Sequence, residues 1–195
     1  KPDKTSKFEK HIKVLSKTVN DLEFSYEEKV RELSLLRQIG DLFYYVIDLH
    51  EACQKIVDIL YDEFLPDNCS IMLYDHNSED LELYAIKSKV VFETDDENYS
   101  PRVGKKFKIG EGAAGRAVEQ KKVISISDIS KDKRFTIYDE TGVNVKSLIC
   151  IPLLIQNKPD GVINISFNQP NIIPRENLHI FELLMQIIGH GIGNI

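Results

Sequence analysis

The stretch best suited to meet a bound group is Gly110-Glu111-Gly112-Ala113-Ala114-Gly115. Its glycines let the backbone turn sharply and approach a partner closely. Ala113 to Gln120 then predicts a short helix, whose first N–H groups lack intrahelical acceptors and suit an anion or a carbonyl. With the predicted strand Lys105 to Ile109 before it, the stretch forms a cradle of strand, turn and helix start. The same arrangement also makes a tight corner, so the cradle alone does not define a site. Other reactive side chains are scattered. Cys53, Cys69 and Cys150 form no C-x-x-C and have no neighbouring His, which predicts buried apolar thiols in a reducing compartment. A nucleophilic role for Cys69 or Cys150 lacks an adjacent base. Glu93, Asp95, Asp96 and Glu97 miss the alternating spacing of a calcium loop and predict a solvated loop over Phe92 to Arg102.

Long helices are the first elements available to position such a cradle. Phe8, Ile12, Leu15, Val19, Leu22, Tyr26, Leu33 and Leu36 recur by fours and threes, with Lys29 standing in the one remaining seam position. Ile12 and Val19 fall at a and Leu15, Leu22 and Leu36 at d, the combination that favours a parallel two-stranded coil. A long helix folded back on its own domain is the other reading of that stripe. Leu36 to Val46 continues the helix, and His50 to Phe64 predicts a second one that Pro66-Asp67-Asn68 ends. Cys69 to Tyr74 and Leu81 to Ile86 predict a hairpin around Asp75-His76-Asn77-Ser78.

Beyond the cradle, Val123 to Ser127 predicts a short strand and Asp128 to Phe135 a polar connector. Lys146 to Ile155 and Gly161 to Phe167 are β-rich and apolar, joined through Gln156 to Gly161 as a hairpin turn. Pro174 opens a final helix whose Leu178, Phe181, Met185, Ile188, Ile192 and Ile195 again alternate threes and fours. Gly189, Gly191 and Gly193 weaken that helix, and either permit close contact or mark a frayed end.

The whole chain sets limits on partners. A net charge of −6 over 195 residues, without a Lys/Arg run, excludes a nucleic-acid backbone binder. No stretch reaches the apolar length of a membrane helix, and no signal-peptide pattern opens the chain, which predicts a cytoplasmic protein. Hydrophobic content of 42% is enough for a substantial core. The first residue, Lys1, suggests a fragment of a longer protein.

This order of elements resembles the GAF domain family. The resemblance is carried by Asn68 to Asp75, Gly110 to Gly115, Asp128 to Phe135, Thr141-Gly142, Ser147 to Leu153 and Gly161 to Ile165, and covers residues 40 to 195. It implies an α+β fold: an antiparallel sheet with helices on both sides, one face holding a ligand pocket. A coiled-coil signalling helix over 1–38 would precede a sensory domain over 39–195, which ends in a C-terminal signalling helix. Carried over by position, the resemblance makes Ser70, Met72, Ile86, Lys87, Gly112, Ala113, Ala114, Phe135, Thr136, Thr141, Ser147 and Cys150 the candidate ligand-binding residues. Met72, Ile86 and Phe135 would serve equally as core filler.

Departures from the family narrow the ligand. No cysteine stands where bilin-binding members attach a chromophore. The Asn-Lys-Phe-Asp-Glu signature of cyclic-nucleotide phosphodiesterase members is absent, with Phe167-Asn168 and Arg175-Glu176-Asn177 in that region, which leaves a cyclic nucleotide as a minor alternative. The cysteine spacing does not match members that reduce free methionine sulfoxide. The expected protein is therefore non-catalytic. It binds an unidentified small molecule, anionic if Lys87 and the helix start take part, and no cofactor or metal is assigned. It pairs with a second copy through Phe8, Ile12, Leu15, Val19, Leu22, Tyr26, Leu33 and Leu36, and relays ligand state to an output such as a histidine kinase, nucleotide cyclase, phosphodiesterase or transcription factor. The alternative is a ligand-free relay whose pocket is filled by its own side chains.

Overall fold

A computed structural model describes residues 4–89, 106–132, 145–172 and 178–195. The chain divides into two compact units, residues 1–37 and 38–195. Helix α1, Lys4–Tyr45, begins in the first and ends in the second. Along its first part Phe8, Ile12, Leu15, Val19, Leu22, Tyr26 and Leu33 are exposed, from 50% at Val19 to 71% at Tyr26. The buried positions on α1 are instead Leu35, Ile39 and Leu42, with Val46 just beyond. Leu36, placed on the seam by its spacing, is half-buried beside fully buried Leu35.

Helix α2, Leu49–Phe64, starts at Asp48, whose Oδ1 accepts from Glu51 N at 2.8 Å, and stops at Leu65 in a left-handed conformation before Pro66. A side-chain cap of this kind stabilises a helix start by ~1 kcal/mol. Strands β1, Asn68–Asp75, and β2, Asp80–Ser88, form the expected hairpin. Its turn is held by Asp75 Oδ1 accepting from Asn77 N at 2.9 Å. Strand β3, Lys106–Lys108, leads to helix α3, Gly112–Gln120. Strand β4, Ile124–Ile126, precedes a single 3-10 turn, Ile129–Lys131. Strands β5, Ser147–Ile155, and β6, Lys158–Phe167, form the second hairpin, and helix α4, Leu178–Ile192, follows. The predicted helix start at Pro174 and the acidic loop Phe92 to Arg102 lie outside the described residues.

The strands make one antiparallel sheet in the order β3-β2-β1-β6-β5-β4. The β5–β6 turn is tighter than the sequence suggests. Gln156 and Asn157 alone make it, both with positive φ (47° and 64°), and Ile155 pairs directly with Lys158. Two consecutive left-handed residues match the strand twist, as in a type I′ turn. Pro159, read as part of the turn, sits in β6 where the ladder slips beside Leu153 and Leu154, a place that tolerates a missing N–H.

Helices cover both faces of the sheet. Helices α2 and α4 share one side, where the Phe64 and Phe181 rings lie 5.1 Å apart. Helix α3 packs on the other, with Ala113, Ala117 and Val118 against Met72, Leu81, Val162 and Cys150. The glycines of α4 are contact positions. A Cβ on Gly189 would stand 2.7 Å from Leu154 O on β5, and one on Gly191 would stand 2.2 Å from the Phe43 ring of α1. Both distances are too short for a side chain, so α4 lies closer to its neighbours than Ala would allow. For Gly189 and Gly191 the close-contact reading holds, while Gly193 lies in the turn just past the end of α4.

Candidate functional site

Strand register sorts the candidate residues by face. In a flat antiparallel pair, residues directly opposite each other point to the same side. Ser70 pairs with Ile86 on one flank and Asn164 on the other, Asn164 pairs with Cys150, and Cys150 with Ile124. These five side chains form one row across the sheet. The row on one side of it holds Leu83, Met72, Val162 and Pro152. The row on its other side holds Ser88, Asn68, Ser166, Leu148 and Ile126. Met72, Val162, Cys150, Ile124 and Ile126 cluster with α3, which fixes all three rows on the α3 side. The candidates Ser70, Met72, Ile86 and Cys150 are therefore brought together.

Polar groups are concentrated in two of these rows. Asn68, Ser70 and Ser166 are buried, among very few buried polar residues described. Ser166 Oγ donates to Asn68 O at 3.5 Å. Asn164 sits at the centre, and its Nδ2 donates to the Met72 sulfur at 3.6 Å. A thioether is a weak acceptor. Asn164 Oδ1 is buried and is the single such side-chain atom without a partner among the described residues. A buried carbonyl left unpaired costs about 1–3 kcal/mol. Asn164, Asn68 and Ser166 were missed by the sequence reading. Their signal was the alternation of Val162, Asn164 and Ser166 against Ile163 and Ile165, which reads as apolar when β6 is judged by composition alone.

The cradle is built as its glycines require. Gly110 and Gly112 have positive φ, 86° and 61°. A Cβ on Gly115 would stand 2.3 Å from Lys108 O, so only glycine lets α3 start this close to β3. Glu111 does not cap α3 with its side chain. Its Oε2 instead accepts from Lys108 N at 3.1 Å, while Gly115 N donates to Glu111 O at 2.9 Å. The N–H groups of Gly112, Ala113 and Ala114 precede that first helical bond, which leaves them as the free donors of the helix start. Ala113 is buried and Ala114 packs against the same apolar cluster as Met72.

Two candidates leave the site. Lys87 pairs with Cys69, on the opposite face from Ile86. There its Nζ meets Asp58 Oδ1 at 3.1 Å and Asp62 Oδ1 at 3.2 Å on α2, and lies 4.9 Å from the Tyr61 ring centre. Desolvation works against the Lys87 ammonium, but the hydrogen bonds and charges of Asp58 and Asp62 hold its pKa above the ordinary lysine value. The cause is a bulge in β2. Met72 pairs with Leu83 but Ile71 with Ala85, so Tyr84 is an extra residue that flips every later side chain. Ser147, paired with Phe167, is likewise on the opposite face from Cys150. It is fully buried, and its Oγ donates to Gln169 O at 2.7 Å, tying down the chain after β6. Phe135, Thr136 and Thr141 lie outside the described residues.

The thiols have little thiolate character. Burial, with the Asp48 charge second, pushes Cys53 up to about 12. Burial, with Asp58 second, does the same for Cys69, also to about 12. Burial alone raises Cys150 further. Among the described residues no group of three His, Cys, Asp or Glu is placed to hold a metal ion, and no helix is long and apolar enough to cross a membrane.

Comparison with known proteins agrees with this architecture. The family profile described as GAF domain matches residues 46–192. A probable 3',5'-cyclic phosphodiesterase of Caenorhabditis elegans, pde-5, is 23% identical over 168 residues, 83% of this chain. The chain spans 23% of that relative's length. The GAF domain of a phosphoenolpyruvate-protein phosphotransferase from Coxiella burnetii superposes with a TM-score of 0.72 at 22% identity, over 85% of this chain and 94% of that one. Free methionine-R-sulfoxide reductase from Neisseria meningitidis, in complex with its substrate, gives 0.69 at 14% identity, over 84% and 90%.

Proposed function

Because the chain belongs to the GAF domain family, we propose that it is a non-catalytic sensory module. It binds a small molecule on the α3 face of its sheet, pairs with a second copy, and relays ligand state through α1 and α4 to an output domain outside this chain. The observation that carries the binding reading is the unpaired, buried Asn164 Oδ1, flanked by Ser70, Ser166 and Asn68. A ligand that offers an N–H or O–H to this carbonyl recovers the cost of burying it. The ligand therefore offers a hydrogen-bond donor to this carbonyl. With Lys87 held by Asp58 and Asp62 on the other face, an anionic ligand loses the lysine that the sequence offered it. This weighs against a cyclic nucleotide, although one relative is named a cyclic phosphodiesterase.

Three protonated thiols support the non-catalytic reading, since a thiolate is the reactive form. The relay reading is supported by the Phe43 ring seated against Gly191, which couples the end of α1 to α4. Ligand shifts such an equilibrium only through different affinities for its two helix arrangements. The alternative, a ligand-free relay, is favoured by Met72, which is buried and occupies the Asn164 amide itself.

Native mass spectrometry of the purified chain, beside its Asn164→Leu variant, tests the proposal. A stoichiometric extra mass on the wild-type dimer that is missing from the variant is the expected result. An apo wild-type dimer whose stability no added metabolite alters would favour the ligand-free relay.

A further inference from the structure

The seam of α1 contains one charged residue, and its surroundings on the helix specify how two copies pair. Lys29 stands at a d position between Tyr26 and Leu33. Its Nζ meets Glu32 Oε2 of the same helix at 2.7 Å, with the glutamate side chain only 19% exposed. Glu32 falls at g, and Arg37, five residues on, at e. Those are the positions that face each other between parallel helices. An i,i+3 ion pair on a helix surface adds little to helix stability. Its value lies in what a partner helix would meet.

We propose that Lys29, neutralised by Glu32, is the element that fixes parallel, in-register pairing of two copies of this chain. The inference rests on the self-association proposed above. In a parallel pair both Lys29 side chains occupy one layer, each bonded to its own Glu32, so two ammonium groups and two carboxylates balance there. Each Glu32 also faces the other copy's Arg37, which adds an attraction across the seam. The polar cost is confined to one layer. In an antiparallel pair a residues face d residues, and the register that uses the seam from Phe8 to Leu33 sets Phe8 against Leu33 and Ile12 against Lys29. Each lysine then lies opposite an isoleucine, and two separate layers are mismatched. The Lys29–Glu32 pair lies within one helix and persists in either orientation, so the difference is in the number of layers that lose apolar packing, one against two. β-Branched Ile12 and Val19 at a, with Leu15 and Leu22 at d, favour the same two-stranded parallel form. Lys29 thus lowers affinity and raises specificity, as a polar seam residue does in other coiled coils.

The test uses the full 195-residue chain. Phe8→Cys and Leu33→Cys chains are mixed, oxidised mildly and read by mass spectrometry, while self-association is measured by sedimentation. The native thiols are buried and do not compete. Parallel pairing yields same-site disulfides, and mixed Phe8→Cys to Leu33→Cys disulfides stay absent. Adding Lys29→Leu to both chains tightens self-association by about tenfold and lets mixed disulfides appear. Glu32→Gln weakens association roughly threefold in the Lys29 chain and by less in the Lys29→Leu chain, where only the attraction to the other copy's Arg37 is lost. Mixed disulfides already present with Lys29 in place would overturn the parallel orientation. A parallel dimer indifferent to Lys29→Leu would remove the role of Lys29 and leave the dimer standing. A chain that stays monomeric at tens of micromolar, on the order of the affinities such coils need, would overturn the proposed dimer itself.

Discussion

The two faces of the sheet are built on opposite principles. Toward α2 and α4, strands β1, β5 and β6 present Cys69, Ile71, Ile149, Ile151, Ile163 and Ile165, all fully buried. Toward α3 the same strands alternate these with Ser70, Met72, Asn164, Ser166, Leu148 and Cys150. One face is a closed apolar layer, and its polar neighbours, such as Lys87 with Asp58 and Asp62, are paired at its edge. The other carries polar groups inside, and one of them has no partner among the described residues. A domain selected for stability alone would have no reason to keep that second pattern, since a half-satisfied polar cluster is worse than an apolar one. The face backed by α2 and α4 holds the fold, and the α3 face is where that stability is given up.

Consecutive residues of β6 make the sharpest test. Ile163→Ala empties a fully buried site under the helices and should destabilise the domain by ~3 kcal/mol, read from the shift of the chemical unfolding midpoint. A cost below about 1 kcal/mol would mean that the layer readjusts freely and that the two faces are not so different.

Next come the thiols, one on each face. Cys69 stays protonated in the fold up to about 12 but ionises near 9.0 when unfolded. Its contribution is therefore complete below pH 9 and is lost as pH rises toward 12, because the unfolded state then binds fewer protons. The slope is at most about 1.4 kcal/mol per pH unit. Cys69→Ala should flatten the alkaline fall of stability by that slope. Cys150→Ala, on the α3 face, should do the same, because Cys150, although paired with Asn164, is buried in the cluster around α3. A Cys150 that reacts with a thiol reagent in the folded protein at pH 8 would show that this end of the α3 face is wet.

These contrasts were only partly readable in the chain. The exposed seam Phe8 to Leu33, the hairpin strands and the Gly110 to Gly115 turn follow from local pattern, because period and turn chemistry are short-range properties. Which face a residue takes is not local once a strand is irregular. Leu81 and Leu83 lie on the α3 face, and uninterrupted alternation would add Lys87 to them. The extra residue Tyr84 substitutes Ile86. Nor could the chain reveal that Gly191 makes room for Phe43, two residues distant in sequence that meet only after α4 docks.

Smaller in effect, and opposite in sign to Ile163→Ala, is Asn164→Leu. Removing the unpaired carbonyl should raise the stability of the ligand-free domain by ~1 kcal/mol while abolishing ligand binding. Loss of stability instead would show that Asn164 is satisfied in solution, and the binding reading would lose its main support.

Lys87→Met should matter least. The lysine is one-third exposed on its side chain, and its partners Asp58 and Asp62 are more exposed still, so the ion pairs are well solvated. A methionine of similar length replaces the ammonium that lies 4.9 Å from the Tyr61 ring centre with a thioether that also packs on an aromatic ring. The expected change in stability is within ~1 kcal/mol, and ligand affinity should be untouched. That second half carries the weight. The bulge at Tyr84 is what separates Lys87 from Ile86, and an affinity that falls with Lys87→Met, measured on the same ligand that Asn164→Leu abolishes, would mean that the two faces communicate or that the bulge shifts on binding. An unchanged affinity would confine recognition to the rows around Asn164 and leave Lys87 as a clasp between β2 and α2.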